Sequence, residues 1–165
     1  MAIEAWLSGP IPDVDPLLMP VAHALLQARE DLANATRDLT VAQLSARPGG
    51  AASVGFHLRH IPGSIERLLT YARGEALTPG QLKAATAETN EGSDDAPTLL
   101  AVVAAAIDAA LAQVRGTSAT ELLEPRTVGR AKPPTTVLGL LFHVAEHTQR
   151  HTGQVIATAK VIRNV

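Results

Sequence analysis

The sequence predicts an all-α protein, a four-helix bundle occupying residues 1–165 as one domain, and three observations carry that prediction. Four long segments repeat apolar residues at the three- and four-residue spacing of an amphipathic helix. No segment shows the convincing two-residue alternation of a strand. Runs rich in Gly, Pro and small polar residues separate the four. A chain of 165 residues can bury a core without disulfides or a structural metal.

The first segment, Pro16 to Leu39, carries Leu17, Leu18, Val21, Leu25, Leu26 and Leu32 at helical intervals. Thr40 to Arg47 reads as a short helical turn closed by Pro48-Gly49-Gly50. The second segment, Ala52 to Arg73, places Val54, Leu58, Ile61, Ile65, Leu68 and Leu69 on one stripe and stops at Gly74. Pro62-Gly63 interrupts it: an internal proline loses one backbone bond and clashes with the carbonyl of Leu58, so a kink or break is expected there. Ala76 to Asp95 reads as a connecting loop with one turn of helix at Gln81 to Ala87.

Asp95 and Ala96-Pro97 then start the third segment, which runs to Arg115 and ends at Gly116. It is apolar nearly all round, as when one face packs in the core and another meets a partner chain, so a homodimer is the expectation. Its richest part, Leu99 to Val114, includes Asp108 and Gln113 and is short for a membrane span of about 20 residues. A buried helix with no membrane partner is the reading. Gly129 to Pro134 breaks the chain again, and Thr135 to Ile162 forms the fourth segment.

Charge and composition narrow the function. Lys and Arg number 14 against 16 for Asp and Glu, which gives no electrostatic reason to expect nucleic acid or an anionic membrane as partner. Cysteine is absent, excluding thiolate ligands and a cysteine nucleophile and leaving imidazole and carboxylate as the strong metal ligands. The opening MAIEAWLSGPIPDVDP has no basic start and no apolar run of signal length, so an unprocessed, cytoplasmic protein is expected.

Six histidines occur, at 23, 57, 60, 143, 147 and 151, and five of them fall in two groups on two predicted helices. Steps of four residues advance a helix by about 400°, so His143, His147 and His151 stack along one stripe, each about 6 Å above the last. A His pair at i and i+4 lets two rings converge on one ion, as in helical zinc sites. The stripe is continuous with Leu140, Val144 and Val155, which predicts that the histidines face the buried side. His60, beside Ile61 on the second helix, can complete a three-histidine set with His147 and His151; His57 and His143 are substitutes, and His23 is structural or exposed. Three imidazoles suit Zn, Ni, Fe or Cu rather than Mg or Ca and leave a coordination position open. The competing reading is that these histidines only hydrogen-bond within a core. Gln154, three residues past His151, can orient an imidazole or a bound water from the second coordination sphere, whereas Glu146 lies about 100° round the helix from His147 and reads as solvated face.

The segments LLFHVAEHTQRHTGQVIATAK (Leu140 to Lys160) and SVGFHLRHIPGSIERLL (Ser53 to Leu69), and the layout of the whole chain, resemble the DinB/YfiT-like superfamily of bacterial four-helix proteins. The resemblance implies a divalent metal held by one histidine of the second helix and a His-x₃-His pair of the last, which fall by motif on His60, His147 and His151. The closing His-x-Gly-Gln pattern is present as His151-Thr152-Gly153-Gln154; Thr152 stands where many members carry Arg, and Pro62-Gly63 is atypical. Some members are S-transferases using low-molecular-weight thiols such as mycothiol or bacillithiol, and others resemble metal-dependent hydrolases. The expectation is therefore a metal-dependent transferase or hydrolase acting on a small molecule, against the alternative of a non-catalytic binding or stress-associated module with a structural or empty site.

Overall fold

The structure, a computed structural model, describes residues 3–90 and 92–164. Its helices are α1 (Met19–Thr36), α2 (Val41–Ser45), α3 (Val54–Ala72), α4 (Pro79–Ala87), α5 (Ala96–Gly116) and α6 (Val137–Arg163), with a two-stranded hairpin of β1 (Pro125–Thr127) and β2 (Pro134–Thr136). Local sequence sets most of the helix starts. Thr40, Ser53, Thr78, Asp95 and Thr136 each accept a hydrogen bond from a backbone N–H of the first turn that they cap. Thr40 and Thr78 do so in reciprocal capping boxes with Gln43 and Gln81.

The long helices α1, α3, α5 and α6 make the bundle. Both α1 and α3 pack against α5 and against α6, so the order around the bundle is α1, α6, α3, α5, with α5 and α6 on opposite corners. The chain must cross a diagonal from α1 to α3 and again from α5 to α6. Those two crossings carry α2 and the β hairpin, respectively. The core between the helices is built from Leu18 at the N-cap of α1, Leu25 and Leu32 of α1, Leu58, Ile61 and Ile65 of α3, Val103 and Ile107 of α5, and Leu141 and Val155 of α6. Leu17, expected on the same stripe, points to solvent.

Two expectations are corrected. The break at Pro62 does not form, and α3 runs from Val54 to Ala72 as one helix. Pro62 forfeits its own bond to the Leu58 carbonyl, but Leu58, Ile61, Pro62 and Ile65 are all buried on one face, and that shared burial holds both halves in line. The region around Gly129 is a hairpin loop, not a mere break, with Pro125 opposite Thr136, Arg126 opposite Thr135 and Thr127 opposite Pro134. The hairpin is pinned below α3 by Arg126, whose Nε donates to the Ala72 carbonyl at 2.8 Å. The start of α6 is fixed in turn by the Val137 N–H to the Glu124 carbonyl and the Leu138 N–H to the Leu122 carbonyl.

Among the described residues, α5 alone is long and apolar enough to cross a membrane. In the fold it lays Leu99, Val103, Ile107, Leu111 and Val114 against α1 and α3. The cap of α6 offers a direct test of how its first turn is set. Thr136→Ala removes the acceptor for the Gly139 N–H, 3.1 Å away, and should lower the unfolding free energy by about 1 kcal/mol in urea denaturation.

Candidate metal centre

The pairing of α3 with α6 brings two histidine groups face to face. Along α6 the buried positions are Val137, Leu140, Leu141, Val144, Ala145, Thr148, Thr152, Val155, Thr158 and Ala159. The histidines do not lie on that stripe, as their apolar neighbours suggested, but along its margin: His147 and His151 are half-buried and His143 is exposed. Each of Thr148 and Thr152 returns its hydroxyl to the carbonyl four residues earlier, so neither competes for the imidazoles.

Across the seam His60 Nε2 lies 3.0 Å from His147 Nε2. One ring nitrogen from each of His60, His147 and His151 lies within 4.8 Å of the other two, and these three form a group able to hold a metal ion. The fit is chemical as well as spatial. Nitrogens that share an ion at 2.0–2.1 Å in tetrahedral geometry sit roughly 3.3 Å apart, close to the His60–His147 separation. Two unprotonated nitrogens facing each other at that distance repel, and a cation between them removes the repulsion.

The surroundings orient the rings. His57, also on α3, places Nδ1 2.8 Å from His151 Nδ1, so one proton shared between them leaves Nε2 of His151 free to coordinate when His151 is the donor. Phe56 stacks on His60 with ring centres 5.4 Å apart and planes inclined by 10°. His60 Nδ1 meets Glu88 Oε2 at 2.8 Å. Glu88 was not visible as a site residue in the sequence, since it lies 28 positions from His60 at the end of α4, in a stretch read as a connecting loop. The Nδ1 atom of His147 is buried and has no hydrogen-bond partner among the described residues.

The remaining expected residues stand apart. His143 neighbours His147 with ring centres at 5.4 Å, but its Nδ1 faces Glu146 Oε2 at 3.3 Å, and it is not one of the three convergent ligands. Gln154, two turns beyond His147 on α6, is exposed and makes no hydrogen bond to an imidazole among the described residues. Glu146 pairs with Arg150 on the solvent face, as its helical angle predicts. His23 is buried and structural, with Nε2 2.9 Å from the Gly9 carbonyl.

Burial lowers the pKa of His147 to about 4, with His60 and then His143 adding like-charge opposition. Burial likewise lowers His151 to about 3, helped by His147, His60 and His57. His57 is shifted down by burial and by His60. The unprotonated form that a metal ligand requires is thus the resident form near neutral pH. In the unfolded chain these rings protonate near 6.5. Below that pH the unfolded state binds protons that the folded state refuses, so folding stability falls as pH drops from about 6.5 through about 4 for His147 and on to about 3 for His151, while above 6.5 the contribution is complete. Thermal melts of chelator-treated protein should show a midpoint that is level above pH 7 and declines through this window, with a shallower decline in His147→Ala.

Residues 24–155 match the DinB superfamily. The chain belongs to the DinB superfamily. Its fold is shared by a conserved protein from Enterococcus faecalis, at 14% sequence identity and a TM-score of 0.73, covering 90% of this chain and 98% of that one. No curated protein matches it. Within this DinB bundle the three histidines are half-buried. A cavity of about 820 Å³ between the hairpin and the α3–α4 connection, lined in part by Tyr71, Leu82, Arg126 and Lys132, has no histidine in its wall. A smaller one of about 170 Å³ lies beside the centre, sharing Phe56 with it and adding Arg47, Arg59 and Thr89.

Proposed function

We propose that this DinB protein is a metal-dependent enzyme acting on a small molecule, with transfer of a low-molecular-weight thiol to an electrophile as the leading reaction and hydrolysis as the alternative. The observation that carries the reading is the convergence of half-buried His60, His147 and His151 from two helices on one point. His60, His147 and His151 would hold a divalent transition ion such as Zn, Ni or Fe, which would supply Lewis acidity to bring the pKa of a thiol or water toward neutrality. Three protein ligands leave coordination positions open, the pattern of catalytic and not structural sites.

The protein's own residues supply the rest. His60, His147 and His151 bind the ion, and His57 orients His151 through Nδ1. The Phe56 ring shields one face of His60 from water. The adjoining 170 Å³ cavity, with Arg47 and Arg59 in its lining, gives room for part of a substrate. In thiol transfer the sulfur forms a bond to the electrophilic carbon, the leaving group departs with its electron pair, and the thiol proton passes to solvent.

The test is turnover by protein stripped with chelator and reloaded with one equivalent of Zn or Ni. Disappearance of free thiol in the presence of a haloarene acceptor should require metal and be lost in His147→Ala. Metal-dependent ester cleavage without thiol would favour the hydrolase instead. A rate no greater than that of the thiol and acceptor alone, together with no ester cleavage, would refute an enzymatic role of either kind.

A further inference from the structure

The Pro62-Gly63 pair and the end of α4 meet at a point that the metal ligands alone do not explain. Glu88 caps the C-terminus of α4, and only 9% of its surface is exposed. Its carboxylate is gripped by Arg67, which donates from one guanidinium nitrogen to Oε1 and from the other to Oε2, and Oε2 also accepts from His60 Nδ1 at 2.8 Å. Room for this arrangement comes from Gly63. A side-chain carbon at that position would collide with Glu88 Oε1 and crowd the Arg67 guanidinium. Glycine in the middle of a helix costs about 1 kcal/mol relative to alanine, so its presence between a candidate ligand and an arginine, on the same face, marks a place where another group must come close.

We infer that Glu88 is a positioning residue for the metal centre, with Gly63 and Arg67 as its seat. The inference rests on the reading that His60, His147 and His151 hold an ion. A carboxylate only accepts hydrogen bonds, so the proton of neutral His60 stays on Nδ1 and the lone pair is left on Nε2, the atom facing His147 Nε2 at 3.0 Å. Glu88 therefore selects the tautomer that can coordinate, fixes the ring plane, and makes Nε2 more electron-rich. The Arg67 fork keeps the carboxylate from swinging away, since two parallel N–H donors define its plane. By this account α4, which lies outside the four long helices, contributes to metal affinity without supplying a ligand.

A plain alternative is that Glu88 and Arg67 merely staple α4 to α3. Two measurements separate the readings. The first is Zn(II) affinity by competition with a chromophoric chelator in wild type, Glu88→Gln, Glu88→Ala and Gly63→Ala. Loss of an outer partner of a ligating histidine weakens binding roughly 10–100-fold, so Glu88→Ala and Gly63→Ala should fall in that range, Glu88→Gln should lie between them and wild type, and one ion per chain should still bind at saturation. The second is the His60 tautomer in metal-free protein, read by long-range ¹H–¹⁵N correlation. Wild type should show the Nδ1–H form, and Glu88→Ala should lose it while keeping the helical circular dichroism of wild type. Affinities within twofold of wild type, or an unchanged His60 tautomer in Glu88→Ala, would overturn the inference. If wild type takes up no Zn(II), the underlying metal reading fails by itself, and the tautomer measurement still decides whether Glu88 governs His60.

Discussion

His147→Ala and His151→Ala should each purify with less than about a tenth of the metal found in wild type, and titration should show affinity reduced by more than the roughly 10–100-fold typical of losing an outer partner. The reason is geometric. Each ring supplies one of three convergent nitrogens, and neither His143, which is turned to Glu146, nor His57 belongs to the convergent group. His143→Ala should keep its metal. Both ligand rings lie at the margin of the α6 core face, so the metal-free variants should retain the wild-type circular dichroism. Elemental analysis after desalting, read beside that spectrum, checks the expectation.

The largest effect on stability is expected from Ile107→Ala. Helix α5 is dominated by alanine, so its hold on α1 and α3 depends on a few large side chains, and Ile107 is completely buried among them. Truncation leaves a cavity between three helices that cannot collapse readily, at a cost of about 2–5 kcal/mol. Val102, on the opposite side of the same helix, is 54% exposed, and Val102→Ala should change stability by no more than about 0.5 kcal/mol. Urea denaturation of the two variants distinguishes a packed face from a bare one; equal losses would mean that α5 buries a different surface from the one described.

The bundle was legible because its signals are local and repeated. The stripe from Val54 to Leu69 and the start at Asp95 with Ala96-Pro97 mark helices without reference to the rest of the chain. The hairpin was not, since its strands are three residues long, each contains a proline, and neither carries an apolar–polar alternation. Pro62 was over-read for the opposite reason: its local cost is real, but burial on both sides of it outweighs that cost.

The same division runs through the site. The four-residue spacing of His147 and His151 is a statement about one helix, and His60 could be paired with them once two helices were expected to pack. Nothing in the spacing identifies Glu88, which reaches His60 only because α4 folds back along α3. The one local trace of it is Gly63, a costly residue inside a helix, three positions from His60, where a close approach is the physical explanation. The margin position of the histidines was likewise hidden, because sequence neighbours such as Val144 report which turns are buried and not which side of a turn meets the seam.

The central claim is that one divalent ion binds where α3 meets α6, and anomalous diffraction from crystals of protein loaded with Zn(II), collected on both sides of the zinc absorption edge, tests it most directly. The account predicts a single strong anomalous peak about 2.0–2.1 Å from one ring nitrogen each of His60, His147 and His151. A peak coordinated elsewhere, or no peak at this seam from protein soaked in excess metal at neutral pH, would contradict it.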